Sequence, residues 1–238
     1  MSEHPAGEPV PRLPLRPATG HKGTFGTVLV LGGCLSDGRL MLGAPCLAAR
    51  AAVRAGAGLV VLAVPEPLAE AAVGLVPEAT AITLPVDAGG RIRASEAAAV
   101  LDGNLPRADC VVAGPGLGGG AAVQQVLVRL AAREDVPMVL DADALNALAA
   151  VPRFDADLRA PAILTPHPGE FDRLAGALGL EADPREPDRR PEAARMLAGR
   201  LGCVVALKGA GTVVSDGLSH WINDSGGPVL ATGGTGDV

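Results

Sequence analysis

Aromatic side chains are scarce in this 238-residue sequence, which has three Phe, one Trp and no Tyr. These few rings cannot form a platform on which successive bases stack. The sequence has 20 Lys and Arg against 26 Asp and Glu, a net charge of −6, and so lacks the positive excess that holds nucleic acid or anionic lipid. A nucleic-acid-binding or membrane-surface protein is therefore not expected, and any phosphate chemistry must be local.

Long apolar runs and paired cysteines are also missing. The longest runs, such as Leu59 to Val64, fall far short of the roughly 20 residues that a membrane-spanning helix needs, and the amino terminus does not resemble a signal peptide. No Cys-x-x-Cys pair occurs, so buried free thiols are expected at the four cysteines, Cys34, Cys46, Cys110 and Cys203. We therefore predict a soluble, cytoplasmic protein.

Short apolar runs alternate with longer segments rich in Ala, Leu and Arg from Thr27 onward. This alternation predicts an α/β fold with a mostly parallel central sheet and helices on both faces. Most of the apolar runs are continuous, which predicts burial on both faces of the sheet. The predicted strands are Thr27–Leu31, Leu59–Val64, Ala79–Leu84, Cys110–Ala113, Met138–Leu140, Ala162–Leu164, Val204–Leu207 and Thr212–Ser215. The predicted helices are Gly43–Ala55, Pro67–Leu75, Ser95–Leu101, Gly120–Arg133, Ala144–Ala149, Gly169–Leu178 and Pro191–Leu201.

Three segments depart from this alternation. Residues 1–20 are rich in proline and are predicted to form a tail before a single domain at residues 21–238. The charged, proline-containing stretch from Glu181 to Pro191 is predicted to be an exposed loop. Thr212 to Asn223 is predicted to form a hairpin with a type I′ turn at Asp216-Gly217.

Glycines and polar side chains follow five of the predicted strands. In a parallel sheet, ligands bind beyond the carboxyl ends of the strands, so these segments are predicted to converge on one cleft. They are Leu31-Gly32-Gly33, Ala113 to Gly118, Leu140 to Asp143, Leu164 to Glu170, and Lys208 to Thr212.

The segment from Ala231 to Asp237, with the sequence ATGGTGD, is the most informative. Its small residues allow backbone N–H groups to turn inward as an anion-binding nest for phosphate. Asp237 would then lie beside the bound anion, where a carboxylate can accept a proton from a hydroxyl that attacks a phosphoryl group. A flexible glycine turn with Asp237 as a helix N-cap is the alternative.

Lys22 and Lys208 are the only lysines, and each precedes a glycine. Both are candidates for phosphate contacts, with solvated surface lysines as the alternative. His167, between two prolines at a strand-to-helix junction, is predicted either to aim its ring at the cleft for proton transfer or to cap the helix. Glu170 is most simply a favourable partner of the helix dipole.

Two further patterns give weaker signals. Asp141 and Asp143 could serve Mg²⁺ only with substrate phosphates completing the coordination shell, and N-capping of the next helix by Asp143 is favoured over that role. The glycines from Gly114 to Gly119 lack the spacing of a dinucleotide-binding fingerprint.

Taken together, these segments resemble the ADP/ATP-dependent NAD(P)H-hydrate dehydratase family of the ribokinase-like superfamily. The resemblance implies a ribokinase-like three-layer sandwich and runs from His21 to Val238. Gly-x-Gly-Asp alone would indicate only a ribokinase-like phosphotransferase. The segment Thr-Pro-His-Pro-Gly-Glu-Phe is much more specific for the dehydratase family. The motifs that carry the resemblance are His21 to Gly26, Gly43-Ala44, Gly114-Pro115-Gly116, Leu140 to Asn146, Leu164 to Phe171, Lys208 to Thr212 and Ala231 to Val238.

The resemblance implies a hydro-lyase that dehydrates (6S)-NADHX and (6S)-NADPHX with ADP, or ATP, as co-substrate and releases AMP and phosphate. It also implies Mg²⁺, without assigning metal ligands, and a homotetramer. Asp237 would be the catalytic base. The implied substrate contacts are Ala44, Gly116, His167 and Asp237, and the implied nucleotide contacts are Lys208, Gly209, Ala210, Gly211, Thr212 and Gly236.

Two other functions remain open: a ribokinase-like kinase of a small alcohol, and a catalytically inactive nucleotide-binding module. The family's amino-terminal epimerase domain is absent from the sequence, so a separate epimerase is an expected partner. Gly236-Asp237 should open a helix, and one further residue cannot make a helical turn. We therefore expect a truncated sequence, and little activity from a protein that ended at Val238.

Overall fold

The computed structural model describes residues 15–36 and 38–237. Most of the predicted tail, residues 1–14, lies outside the described residues, as do Asp37 and Val238. The last part of that tail contacts the domain. The Arg16 Nη1 donates to the Gly56 carbonyl oxygen at 2.7 Å, and its guanidinium carbon lies 3.5 Å from the centre of the Phe25 ring.

The described chain contains eleven strands and eight α-helices. The strands are β1 (Thr27–Leu31), β2 (Cys34–Ser36), β3 (Arg39–Met41), β4 (Leu59–Pro65), β5 (Thr80–Leu84), β6 (Cys110–Ala113), β7 (Met138–Leu140), β8 (Ala162–Leu164), β9 (Val204–Leu207), β10 (Val213–Ser215) and β11 (His220–Ile222). The helices are α1 (Gly43–Ala55), α2 (Ala69–Leu75), α3 (Ala94–Asn104), α4 (Ala121–Ala131), α5 (Asp143–Ala149), α6 (Phe154–Asp157), α7 (Pro168–Leu178) and α8 (Arg190–Leu201). No helix in these described ranges is long and apolar enough to cross a membrane.

Nine strands form one sheet in the order β11-β10-β9-β8-β7-β6-β1-β4-β5. Neighbouring strands are parallel except around β10, which is antiparallel to β9 and to β11. The chain runs from β1 outward to β4 and β5 and then returns to β6 on the other side of β1, so the strand order reverses between β1 and β6. Such a reversal is the place where open parallel sheets bind ligands. The predicted α/β fold is confirmed.

Helices cover the two faces of the sheet unevenly. On one face α1 and α2 pack against β1, β4 and β5, and Val30 and Leu62 are fully buried there. Leu29, Leu31 and Ala63, which alternate with these residues along β1 and β4, are buried in the core on the other face. Burial on both faces is therefore confirmed for β1 and β4, as predicted from their apolar runs. It is wrong for β8, where Ile163 is 42% exposed between two buried neighbours. Three strand positions separate β8 from β1, so α1 and α2 are seated too far along the sheet to cover it.

Several local predictions also differ from the structure. The predicted helix Pro67–Leu75 begins as a 3₁₀ turn, Glu66–Leu68, before α2. The antiparallel pair β2 and β3 and the short helix α6 were not predicted. The β10–β11 hairpin is confirmed, but its type I′ turn is wrong, because Ser215 pairs with His220 and leaves a four-residue loop between them. In that loop the Asp216 carboxylate accepts from two backbone N–H groups.

The cysteines lie mostly in the core, as expected. Cys34, Cys46 and Cys203 are buried, and Cys110 is partly buried. Burial raises the pKa of the Cys203 thiol to about 12 and also raises the pKa of Cys46 and of Cys110. A thiol that stays protonated is a poor nucleophile, so these three side chains act as small core residues.

Candidate active site at the carboxyl edge of the sheet

The carboxyl ends of five parallel strands, β1, β6, β7, β8 and β9, lie at one edge of the sheet. Each of the five glycine-rich or polar segments singled out in the sequence directly follows one of these strands. The structure therefore brings all five segments to the same edge, and that edge includes the reversal between β1 and β6.

On the β1 and β6 side, two loops approach each other closely. A Cβ added at Gly32, after β1, would lie 2.3 Å from the Pro115 carbonyl oxygen, so a side chain there would force the loops apart. Gly116 has φ +60°, and a Cβ on it would lie 3.2 Å from the Cβ of Met41. Met41 lies two residues before α1, so Gly116 and the α1 residue Ala44 are brought to the same end of the site.

The glycine-rich carboxyl-terminal segment packs between α1 and β9. A Cβ at Gly234 would lie 2.7 Å from Cδ1 of Leu47, which lies one helical turn after Ala44 on the same face of α1. Thr235–Asp237 forms a 3₁₀ turn, and the Asp237 N–H donates to the Gly234 carbonyl oxygen at 3.1 Å. This hydrogen bond closes the turn at the end of the segment that was predicted to form the anion nest. A Cβ at Gly236 would lie 3.5 Å from Nζ of Lys208.

An ion pair between Lys208 and Asp141 occupies the centre of the edge. The Lys208 Nζ donates to Asp141 Oδ1 at 2.5 Å, and Asp141 is only 6% exposed. Lys208 follows β9 and Asp141 follows β7, so the pair spans the end of β8, which lies between them. A buried carboxylate keeps its charge only when it is paired and hydrogen-bonded, and this lysine supplies that partner.

His167 is the N-cap of α7. Its Nδ1 accepts from the backbone N–H of Gly169 at 2.9 Å and of Glu170 at 3.3 Å, and Glu170 Oε2 accepts from the His167 N–H at 2.8 Å. Because Nδ1 is an acceptor, a neutral ring carries its proton on Nε2, which lies 3.3 Å from Glu170 Oε1. The structure thus contains the capping arrangement that the sequence left open, although the His167 side chain remains 52% exposed.

Four charged groups influence one another at this edge: Asp141, Glu170, Lys208 and Asp237, here called the acid–lysine cluster. Burial raises the pKa of Asp237, the charge of Asp141 raises it further, and the charge of Lys208 opposes the rise. Burial likewise raises the pKa of Glu170, against the lowering effects of the His167 N–H hydrogen bond and of the positive charge of Lys208. The cluster therefore holds two carboxyl groups that accept a proton more readily than exposed ones do.

At the strand ends, one sequence prediction is wrong and one open alternative is decided. Asp143 does not cap α5, because the N-cap is Ala142, which has a positive φ of 51° and makes no side-chain cap hydrogen bond. Instead Asp143 Oδ2 accepts from the Gly118 N–H at 2.9 Å and ties α5 to the loop after β6. Lys22 lies before β1, where Gly58, just before β4, packs against its carbonyl group. It is therefore at the amino edge of the sheet, opposite Lys208, and is not a phosphate contact of the same site.

The segment from Lys208 to Thr212 forms a compact turn. The Thr212 hydroxyl donates to the Gly209 carbonyl oxygen at 2.9 Å and accepts from the Gly209 N–H at 3.3 Å. Gly209 and Gly211 have φ values of 145° and 64°, which favour glycine. Ala210 and Gly211 are exposed at the tip of the turn, so the segment is open to a ligand.

The cluster does not form a dedicated metal cage. Across residues 15–36 and 38–237 there is no group of three or more His, Cys, Asp or Glu that could hold a metal ion. Asp141 Oδ1 already accepts from Lys208 Nζ and from the Ala142 N–H. Mg²⁺ commonly keeps several waters and takes one or two carboxylates together with substrate phosphates. The donors present fit a magnesium ion that arrives with a nucleotide, and they do not fit a resident ion held by protein alone.

The strand order and this edge define the chain as an α/β protein of the ribokinase-like class. A ribokinase-like superfamily protein from Enterococcus faecalis superposes with a TM-score of 0.73 at 25% identity, over 94% of this chain and 71% of that one. The profile of the NAD(P)H-hydrate dehydratase family matches residues 28–238, and the chain belongs to that family. The resemblance and the fold expected from the sequence are thereby confirmed.

Two relatives are informative. The bifunctional NAD(P)H-hydrate repair enzyme Nnr of Gloeobacter violaceus is 43% identical over 229 residues, which cover 95% of this chain and 41% of the relative. The chain thus spans about two fifths of the length of that relative. The ADP/ATP-dependent NAD(P)H-hydrate dehydratase of Bacillus subtilis, co-crystallised with ATP and Mg²⁺, superposes with a TM-score of 0.73 at 37% identity, over 94% of this chain and 73% of that one.

Proposed function

We propose that this chain catalyses the ADP-dependent dehydration of (6S)-NADHX and (6S)-NADPHX, the hydrated forms of NADH and NADPH, with release of AMP and phosphate. One observation carries the proposal: a chain of the dehydratase family has the acid–lysine cluster at the ligand-binding edge of its sheet. In that cluster, the pKa of the Asp237 carboxyl group is raised, and the nearby Lys208 ammonium group interacts with it electrostatically.

In the first step, Asp237 accepts the proton of the substrate's C6 hydroxyl as that oxygen attacks the β-phosphorus of ADP. The bond from that phosphorus to the bridging oxygen breaks, and AMP leaves. The raised pKa of Asp237 supports this role, because a general base works best when its pKa approaches the working pH. The Lys208 ammonium group contacts the phosphate oxygens. Mg²⁺, when bound with the nucleotide, offsets charge on the transferred group.

In the second step, the C6–O bond breaks and phosphate leaves, while C5 loses a proton and the C5–C6 double bond of the nicotinamide ring is restored. Hydroxide is a poor leaving group and phosphate a much better one. One phosphoanhydride bond is therefore consumed for each hydrate repaired, and the net change is hydrate plus ADP to reduced nucleotide, AMP and phosphate.

The remaining contacts divide between the two substrates. The turn made by Lys208, Gly209, Ala210, Gly211 and Thr212 binds the adenine nucleotide together with Gly236. The hydrate lies against Ala44, Gly116 and His167, with Asp237 next to its reacting hydroxyl. The support for these contacts is that all the residues lie along the carboxyl edge or in the glycine-rich turn packed on it, and the division between the two substrates follows the family resemblance.

The proposal is tested by incubating the intact natural protein that contains this chain with (6S)-NADHX, Mg²⁺ and either ADP or ATP. We expect the absorbance of reduced nicotinamide to return, with equal amounts of free phosphate and of NADH formed, and AMP as the nucleotide product from ADP. Phosphate retained on the organic product would instead identify a small-alcohol kinase. Nucleotide binding without turnover would identify an inactive binding module.

The pH profile should report the environment of Asp237. We expect the acidic limb of kcat/KM to lie above pH 3.8, the ordinary pKa of an aspartate, because burial and Asp141 raise the pKa of Asp237 and a protonated base cannot accept a proton. Asp141→Asn removes one nearby negative charge, so the limb should move to lower pH. An Asp155→Asn variant serves as a control, since Asp155 pairs with Arg200 away from the cluster. If the acidic limb of kcat/KM stays at the wild-type pH in Asp141→Asn, the charge of Asp141 does not raise the pKa of Asp237 as we expect.

Capping and substrate binding by His167 can be separated by two substitutions. His167→Asn keeps a side-chain acceptor for the N–H groups at the start of α7 but removes the imidazole. We expect near-normal thermal stability and about a tenfold higher KM for the hydrate, equivalent to one lost hydrogen bond. His167→Ala should also lower the free energy of unfolding by about 1 kcal/mol, because the cap is lost. An unchanged KM in His167→Asn would leave His167 with the capping role alone.

A further inference from the structure

Arg190, the first residue of α8, is a buried charged side chain in a segment that the sequence predicted to be exposed. It is 6% exposed, its Nη1 donates to the Pro184 carbonyl oxygen at 2.7 Å, and its Nη2 donates to the carbonyl oxygens of Leu207 at 2.9 Å and Lys208 at 3.2 Å. No carboxylate among the described residues pairs with it, and its buried Nε has no hydrogen-bond partner. A buried guanidinium compensated only by carbonyl groups is costly, so stability alone does not account for it.

The two carbonyl groups at Nη2 belong to the two peptide planes that flank the Cα of Lys208. In a trans peptide the C=O and N–H groups point in opposite directions. In the peptide between Leu207 and Lys208, the carbonyl oxygen accepts from Arg190 Nη2, and the Lys208 N–H on the opposite side donates to the Pro166 carbonyl oxygen at 2.8 Å. In the peptide between Lys208 and Gly209, the carbonyl oxygen also accepts from Arg190 Nη2, and the Gly209 N–H donates to the Thr212 hydroxyl at 3.3 Å. All four polar groups around this Cα are hydrogen-bonded, which fixes the backbone of Lys208.

We propose that Arg190 is a positioning residue that orients Lys208, so that the ammonium group points at Asp141 and at the phosphates of the nucleotide. The phosphate part of this inference rests on the proposed function. With both flanking planes fixed, the direction of the Lys208 Cα–Cβ bond is fixed, and Nζ reaches Asp141 Oδ1 at 2.5 Å. Gly209 permits the close fit, because a Cβ there would lie 3.0 Å from Arg190 Nη2.

An arginine suits this task better than a lysine. The planar guanidinium presents several N–H donors in a fixed fork, whereas an ammonium group on a flexible stem offers one compact charge. Here the fork contacts three carbonyl groups that belong to two separate segments, the loop before α8 and the end of β9. Arg190→Lys keeps the charge and loses the fork, while Arg190→Met keeps much of the length and loses both.

The orientation of Lys208 can be read directly by NMR of protein labelled at the lysine Cε, in the intact natural protein. Lys22 and Lys208 are the only lysines of this sequence and lie at opposite edges of the sheet, so Lys22 is an internal control. The Lys208 and Lys22 signals are each identified among the lysine signals of the intact protein with Lys208→Arg and Lys22→Arg. We expect both Arg190 variants to shift the Lys208 signal toward that of an exposed lysine, without moving the Lys22 signal. Arg195→Met, an exposed position of α8 paired with Glu192, should move neither signal.

Kinetics provide the second readout. In Arg190→Met we expect kcat/KM for ADP to fall about 100-fold, which is the size of effect that a misplacement of about 1 Å produces. The fall should be smaller in Arg190→Lys, and KM for the hydrate should stay unchanged in both variants. An unmoved Lys208 signal in the variants would overturn the proposal, because Arg190 would then only tie α8 to β9. If the Met variant fails to fold, the Lys variant decides by the same criterion. Lack of turnover by the wild-type protein would refute the proposed function but leave the NMR test of Arg190 intact.

Discussion

Replacement of Asp237 by Asn should lower kcat of the ADP-driven dehydration by about 10³-fold, within the range that general-base catalysis contributes. The amide has nearly the same shape as the carboxylate but cannot accept the proton of the attacking hydroxyl. Affinity for ADP should be kept or increased, because the substitution removes a negative charge beside the phosphates, close to Lys208. Steady-state kinetics and calorimetric titration with ADP measure the two quantities separately.

The matched control for this prediction is Asp224→Asn. Asp224 is an exposed carboxylate 13 positions earlier in the same carboxyl-terminal region, and its substitution should leave kcat and ADP affinity unchanged. An Asp237→Asn protein that kept a tenth or more of the wild-type kcat would contradict the assignment of Asp237 as the base, since general-base catalysis contributes at least about 100-fold.

Replacement of Lys208 by Met should affect both nucleotide binding and stability. We expect the Kd for ADP to rise about 100-fold, the loss expected when a charged donor to phosphate is removed. The substitution also leaves the buried Asp141 carboxylate without its cation. Removal of one partner from a fully buried pair costs about 3–5 kcal/mol, and we expect the lower end because the Lys208 side chain is 27% exposed.

A double variant separates the two effects of Lys208. Lys208→Met combined with Asp141→Asn removes the unpaired charge, so most of the lost free energy of unfolding should return while ADP binding stays weak. Lys22→Met, at the opposite edge of the sheet, is the control and should change neither quantity. Recovery of ADP affinity in the double variant would mean that Lys208 only neutralises Asp141 and does not contact the nucleotide.

The strands that form the site could be predicted from the sequence because their physical signals are local. β1, β6, β7, β8 and β9 are short apolar runs followed at once by glycine or polar residues, and their observed bounds match the predicted ones. β2 and β3 have three residues each and no apolar run, so no local pattern marked them. The exposure of Ile163 could not be predicted either, because it depends on where α1 and α2 lie over the sheet rather than on the composition of β8.

The site was less predictable than the fold, because its contacts join distant parts of the chain. Lys208 and Asp237 stood out through their glycine-rich surroundings, but 67 positions separate Asp141 from Lys208, and only the order β7-β8-β9 brings them together. The role of Lys22 stayed open in the sequence, because the glycine after a lysine does not indicate at which edge of the sheet that lysine lies. Arg190 was missed because it lies in a charged, proline-rich stretch whose composition indicates exposure, whereas its side chain is buried and donates to carbonyl groups of the loop before α8 and of the end of β9.

The fate of the substrate's C6 oxygen tests the central claim most directly. (6S)-NADHX prepared with ¹⁸O in its C6 hydroxyl is converted with ADP, and the released phosphate is analysed by mass spectrometry. If the hydroxyl accepts the phosphoryl group and the C6–O bond then breaks, each phosphate molecule carries one ¹⁸O atom from the substrate. Phosphate that carries no ¹⁸O from the substrate, with the label released into water, would mean that the hydroxyl is never phosphorylated.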